Sequence, residues 1–69
     1  MKVGDLVKHR EHPRLIGIVI KTTRIKQAGY LSVPHHTIEW LNEKDIPSER
    51  KWHKPTSFNQ SKLKLLSEA

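Results

Sequence analysis

The sequence predicts a small all-β domain, and three observations support this fold class. Short apolar runs alternate with a period of two, which is typical of strands with one buried face. Gly, Pro, Asn and Asp residues separate these runs at turn-like positions. The chain has 69 residues, enough for one domain over 1–69 with a thin core and little room for a deep catalytic pocket.

A first strand is predicted over residues 3–9. Its core side chains are Val3 and Val7, and Gly4 with Asp5 forms a local bend. Glycine tolerates backbone conformations that a Cβ would block, and an aspartate carboxylate can accept hydrogen bonds from nearby backbone N–H groups. We therefore expect Asp5 to hold the bend into this strand.

A second strand is predicted over 16–24, after a loop over 10–15 that contains Pro13. Proline cannot donate to a strand ladder, so it marks the loop. The period-two pattern of "IGIVIKTTR" places three isoleucines on the buried side and Val19 on the outer side. The three isoleucines are Ile16, Ile18 and Ile20. Gly17 is expected to allow a close approach by another segment.

A third strand is predicted over 37–41, with Ile38 and Trp40 inside. Residues 25–36, which contain a glycine and a proline, form a long hairpin connection between the second and third strands, in which Leu31 and Val33 can extend a neighbouring strand. The turn sequence "NEKD" follows the third strand. We expect Trp40 to belong to the core, because a tryptophan in so small a domain is seldom left in solvent.

The C-terminal third predicts two further elements. An edge strand is expected over 48–52, and a short helical turn over 57–61 precedes a last strand with Leu63 and Leu65 inside. A capping-box pattern also permits a helix that runs through Leu66. The turn followed by a strand is the favoured alternative.

Charge is distributed unevenly along the chain. There are 13 Lys and Arg residues against 7 Asp and Glu. The formal charge is +5 over residues 1–26, −2 over 27–50 and +3 over 51–69. The first and last strands of a small barrel commonly lie side by side, so the two basic ends would share one face. Such a face is typical of a nucleic-acid binder, although net charge also serves solubility.

Several functional classes lack sequence support. Cysteine is absent, so neither a disulfide nor a thiolate zinc site is expected, which fits a reducing, cytoplasmic compartment. No window approaches the ~18 apolar residues of a membrane span, and no apolar signal region opens the chain. The five histidines lack metal-ligand spacing, and no catalytic motif is present. The sequence therefore predicts no enzyme, cofactor, membrane or small-molecule substrate.

Five short segments resemble the small SH3-like β-barrels. They are "VGDLV" (3–7), "GIVI" (17–20), "IEW" (38–40), Trp52 and "LKLL" (63–66). Small proteins of this kind are common in tailed bacteriophages, and the opening is also similar to KOW-type barrels of ribosomal and transcription-elongation proteins. The resemblance implies a five-stranded SH3-like barrel with a short helical turn before the last strand. A phage origin would place it in the host cytoplasm or the virion.

The best-supported function is binding of nucleic acid or ribonucleoprotein. Basic and imidazole side chains on the first two strands and their loops supply phosphate contacts, which give affinity without sequence information. Two aromatic side chains are candidates for stacking on bases. The predicted site residues are Lys8, His9, Arg10, His12, Arg14, Lys21, Arg24, Lys26, Tyr30 and Trp52. Trp52 has an alternative, structural role, in which it closes one end of the barrel.

The segment "KHREHPR" (8–14) lacks an obvious structural role and is the first place to look for a partner. A protein–protein adaptor or virion component is the alternative function. Three apolar side chains fall on the outer side of the predicted strands, and the edge strand over 48–52 offers free ladder groups. The three are Val19, Leu31 and Leu41. This alternative depends on the strand register, because a shift of one residue exchanges the two faces.

Overall fold

The computed structural model describes residues 1–26 and 32–69. Within them, five antiparallel strands form one sheet in the order β4-β3-β2-β1-β5. The strands are β1 (Leu6–His9), β2 (Ile16–Lys26), β3 (Ser32–Trp40), β4 (Thr56–Asn59) and β5 (Leu63–Ser67). Two 3₁₀ turns, Glu43–Asp45 and Gln60–Lys62, precede β4 and β5 respectively. The predicted all-β class, with five strands and a helical turn before the last one, is confirmed. The bounds of the turn differ from the predicted 57–61, because residues 57–59 belong to β4 and the turn occupies Gln60–Lys62.

The core draws one or two side chains from every strand. Its buried apolar residues are Val7, Leu15, Val19, Ile38, Trp40, Ile46, Phe58 and Leu63. Phe58 and Leu63 belong to β4 and β5, the two ends of the strand order, yet they share one cluster. The sheet therefore curls so that a single face encloses the core. Burial of each such side chain contributes about 1.5–3 kcal/mol.

The bend before β1 forms as the sequence predicts. Gly4 has a φ of 96°, a region that side-chain-bearing residues rarely adopt. The buried Asp5 carboxylate accepts the backbone N–H groups of Lys2 and Ala69, each at 2.8 Å. The contact with Ala69 is a feature that local sequence did not indicate. Asp5 therefore ties the C-terminal end of the chain to the start of β1.

The face of β2 that is buried is opposite to the predicted one. Val19 is buried, whereas Ile16 and Ile20 are 38% and 40% exposed and the isoleucine between them is only half-buried. The reason is Gly17, which lies opposite Trp40 on the inner face. A Cβ at Gly17 would lie 2.8 Å from Cε3 of Trp40, so the indole takes the space of the missing side chain. The pairing is irregular between Val19 and Lys21, next to Ile20.

The chain departs from the predictions at three further places. Val3 is 58% exposed because β1 begins only at Leu6. Residues 48–52 form turns and not a strand, with the N–H of Arg50 donating to the carbonyl of Pro47. Leu65 is 37% exposed, because β5 lies at an edge of the described sheet and has a neighbouring strand on one side.

The favoured prediction for the C-terminal segment and the predicted core of the third strand agree with the structure. The helix through Leu66 does not form, since β5 continues to Ser67. Leu63, Ile38 and Trp40 are buried as predicted.

Much of the predicted connection over 25–36 is strand, and Val33 extends β3 as the prediction allowed. β2 continues to Lys26 and β3 begins at Ser32. β1 pairs with β2 over Ile16–Ile18, and β4 pairs with β3 over His35–Ile38. Residues 24–26 and 32–34 lie beyond those points. Among the described residues, these two segments pair only with each other. We call this two-stranded extension the ribbon. Leu31 lies outside the described residues.

Candidate functional site

One end of the sheet holds a cluster of aromatic and imidazole rings around His9. The His9 ring is buried and stacks on Trp52, with ring centroids 5.1 Å apart. Phe58 meets His9 edge-on at 5.4 Å, and Trp40 lies 6.3 Å away. Trp52 itself is half-buried and packs against the core. These contacts support the structural alternative for Trp52, which closes this end of the sheet.

His9 is held in its neutral form by these surroundings. Burial lowers the pKa of His9, and the nearby charge of His12 lowers it further. The Nδ1 atom accepts the backbone N–H of Glu11 at 3.1 Å, so Nε2 carries the proton. A buried neutral imidazole adds no positive charge to a surface. His9 therefore serves packing, in contrast to the surface role that the sequence predicted for it.

The rest of segment 8–14 also has structural contacts. The main-chain N–H of Arg10 donates to the carbonyl of Lys62, and its Nε donates to the carbonyl of Leu63 at 3.1 Å. The ring of His12 lies 5.0 Å from that of His9 and is half-buried. The segment is thus bound to β5 and to the ring cluster. The interpretation that it lacks a structural role is wrong.

The two basic ends of the chain meet, as predicted. β1 and β5 are antiparallel neighbours, and Lys8 lies directly opposite Lys64. Directly opposed like charges destabilise a sheet, so this pair is not explained by folding. Near it, the Lys62 ammonium contacts the Glu11 carboxylate at 2.9 Å, and this hydrogen bond lowers the pKa of Glu11. Basic side chains thus concentrate where β1 and β5 adjoin.

A second basic region lies on β2 and the ribbon. Lys21 and Arg24 are exposed, and Lys26 is the last residue of β2. Residues 12–38 contain no Asp or Glu, so no acidic side chain of this stretch offsets the charges of Lys21, Arg24 and Lys26. Tyr30 lies outside the described residues.

Arg14 lies beside acidic side chains. It is exposed and lines a small cleft with Glu11 and Asp45. The Asn42 side chain donates to the carbonyl of Arg14 and also to the Asp45 carboxylate. Acidic groups therefore flank Arg14, and its contribution to a basic surface is reduced.

Two adjoining clefts run beside the ribbon. They have volumes of about 450 and 560 Å³ and share Met1, Pro34 and Gln60 as lining residues. Arg24 lines the first cleft and Arg10 lines the second. We call the two clefts together the ribbon groove. The groove combines residues from the ribbon, from the loop after β1 and from the turn before β5.

Sequence reasoning missed His36, which lines the groove. The side chain is 2% exposed, and its Nε2 lies 2.7 Å from Oε1 of Gln60. Its Nδ1 is buried and has no hydrogen-bond partner among the described residues. Because His36 and Gln60 are 24 positions apart, no local pattern indicates their contact. A buried polar atom of this kind is uncommon and calls for an explanation.

No family model, curated protein or solved structure matches this chain. Among residues 1–26 and 32–69, no group of three or more His, Cys, Asp or Glu side chains could hold a metal ion. The helical segments of that part are all too short and polar to cross a membrane. The fold is that of a small all-β protein.

Proposed function

We propose that this protein is a noncatalytic binding module that binds nucleic acid or ribonucleoprotein through basic surface residues. The observation that carries the proposal is the pairing of β1 with β5, which sets Lys8 opposite Lys64. The acid-free stretch 12–38 adds Lys21 and Arg24 on exposed positions. The resemblance to SH3-like and KOW-type barrels is compatible with this function.

Electrostatic attraction to phosphates is the mechanism. Each phosphate contact by a Lys or Arg releases counterions, so the observed affinity falls as salt rises. Such contacts give affinity and orientation without reading a sequence. A surface with opposed lysines loses repulsion when an anion lies between them. Binding therefore relieves the unfavourable Lys8–Lys64 pair.

A salt series with a fluorescent oligonucleotide tests the proposal. We expect measurable affinity at low ionic strength that declines linearly on a log–log plot, with a slope of about −0.9 per phosphate contact for duplex DNA. The double variant Lys8→Gln/Lys64→Gln should make this slope less steep by about one to two contacts. Lys44→Gln is the matched control, because Lys44 is exposed on the acidic middle segment. No binding at low salt, or salt-independent binding, would refute the proposal.

The second candidate is a phage-type protein–protein adaptor or virion component. The exposed apolar side chains of Leu41 at 60%, Ile20 at 40% and Ile16 at 38% support it. The N–H of Leu41 donates to the carbonyl of Ile16, so two of the three adjoin. An adaptor would form a stoichiometric complex that survives high salt, because apolar contacts are not screened. Leu41→Ser should weaken such a complex and leave oligonucleotide binding unchanged.

A further inference from the structure

Trp52 presents part of its ring to a cleft at the end of the sheet. The indole is half-buried, with the buried His9 stacked on it and Phe58 edge-on at 5.1 Å. The exposed guanidinium of Arg50 lies over the same ring, 5.5 Å from its centroid. The cleft has a volume of about 260 Å³, and these four residues are among those that line it. The core therefore holds the indole, and an exposed cation covers it from the solvent side.

The indole of Trp52 is a fixed platform, because other rings hold it in place. His12 meets it edge-on at 5.4 Å, and Trp40 lies 6.3 Å away. A side chain that packing already holds loses little further freedom when a ligand stacks on it. Guanidinium groups and nucleobases are both planar and both stack on aromatic rings. The place that Arg50 occupies is thus one that a planar ligand can also take, once this exposed side chain moves outward.

A row of cations leads along β1 and β5 to this cleft. Lys8 is paired with Lys64. Two residues further along, the N–H of Arg10 donates to the carbonyl of Lys62, and Lys62 lines the cleft. The basic side chains where β1 and β5 adjoin therefore reach the cleft that Trp52 lines.

The cleft itself suits an uncharged base better than a phosphate. Glu11 lines it, and the Glu11 carboxylate contacts the Lys62 ammonium at 2.9 Å. A carboxylate repels a phosphate but carries no such penalty toward the uncharged ring of a base. Lys8 and Lys64 lie further along the two strands, so phosphates are expected there.

We propose that Trp52 is the stacking site for one unpaired base of a bound nucleic-acid strand, with the base between the indole and the guanidinium of Arg50 and phosphates of the same strand on Lys8 and Lys64. This inference rests on the proposed function and makes it more specific. Stacking adds affinity without reading a sequence, since every base has a flat face. A base inside a duplex is already stacked on its neighbours, so it must first be unstacked at a cost. The site therefore selects strands with unpaired bases.

Two strands of equal charge separate base stacking from phosphate attraction. One is a fluorescein-labelled DNA strand of about 12 nucleotides, within the usual site size, and the other has the same backbone with abasic sites throughout. Fluorescence anisotropy at low salt should show about tenfold tighter binding of the strand with bases, a factor that one stacked base supplies. The ratio should persist as salt rises, because both strands lose phosphate contacts equally. Equal affinities would overturn the stacking site.

Two variants locate the stacked base. Arg50→Gln removes the guanidinium over Trp52, and we expect the ratio between the two strands to fall about threefold. Lys44→Gln removes the same charge from an exposed position that does not line this cleft, and it should leave the ratio unchanged. Both positions are exposed, so both variants should fold, which circular dichroism checks. An unchanged ratio in Arg50→Gln would overturn the placement of the base beneath Arg50.

The two indole N–H groups provide a second measurement within one molecule. Trp40 is 5% exposed, so it is an internal control that a base does not reach. In ¹H–¹⁵N spectra, the Trp52 indole signal should shift more than that of Trp40 when the strand with bases binds, and it should move little with the abasic strand. An unchanged Trp52 signal on binding would overturn the stacking site and leave the proposed function standing. Failure of both strands to bind at low salt would overturn both.

Discussion

Replacement of Trp40 by alanine tests the packing that the fold depends on. Trp40 is 5% exposed and its ring lies 5.5 Å from Phe58 and 6.3 Å from both His9 and Trp52. It also fills the space over Gly17. Removal of a buried Trp side chain costs about 3–5 kcal/mol. A domain of this length has a total stability of roughly 3–10 kcal/mol, so the variant should be largely or wholly unfolded.

Leu41→Ala is the matched control, because Leu41 is the next residue and is 60% exposed. A surface change of this kind should alter the free energy of unfolding by about 0.5 kcal/mol or less. Urea unfolding followed by circular dichroism measures both variants. With a slope of about 1 kcal/mol per molar urea for so small a protein, loss of Trp40 should lower the midpoint by about 3 M or abolish the transition. Equal midpoints for the Trp40→Ala variant and the native protein would refute the packing argument.

Three further predictions concern β2 and the buried polar groups. Val19→Ala should lower the free energy of unfolding by about 2 kcal/mol in urea, whereas Ile20→Ala should change it little; the reverse ranking would contradict the register. The lowered pKa of His9 means that the unfolded chain binds a proton more readily, so stability should fall as the pH drops below 6.5, and His9→Gln should remove this dependence in urea titrations. The lowered pKa of Asp5 means that stability should fall as the pH drops below 3.8; in Asp5→Asn, hydrogen exchange of the Ala69 amide should accelerate.

The strands of this protein are largely predictable from local sequence. Period-two alternation places Ile38 and Trp40 inside, and the short apolar run after the helical turn places Leu63 inside. The bend at Gly4 and Asp5 is likewise local, because the conformation and the nearest hydrogen bond depend on adjacent residues. Such features follow from steric rules and from the strand period, which act over a few residues.

The face of β2 was not predictable in the same way. Ile16 and Ile20 are more apolar than Gly17, which lies on the other face of β2. The alternation of side chains alone therefore predicts that the isoleucine face is buried. Trp40, a neighbour only through strand pairing, occupies the space beside Gly17 and reverses the choice. A side chain more than twenty positions away in the sequence decides which face is buried.

Some surface features were likewise predictable from the sequence, whereas others depend on tertiary contacts. The sequence alone established an excess of basic residues at both ends of the chain. The ring cluster that buries His9 required Trp52 and Phe58 to arrive from another part of the chain. For this reason the sequence assigned His9 to the surface.

By itself, the sequence determined the all-β class, most strand positions and the sign of the charge, since each depends on residue type and short-range spacing. Tertiary structure decided the inner face of β2, the pairing of Lys8 with Lys64 and the meeting of His36 with Gln60. Each of these contacts joins residues that are far apart in the chain. Their geometry comes from strand pairing and close packing, which no local pattern records.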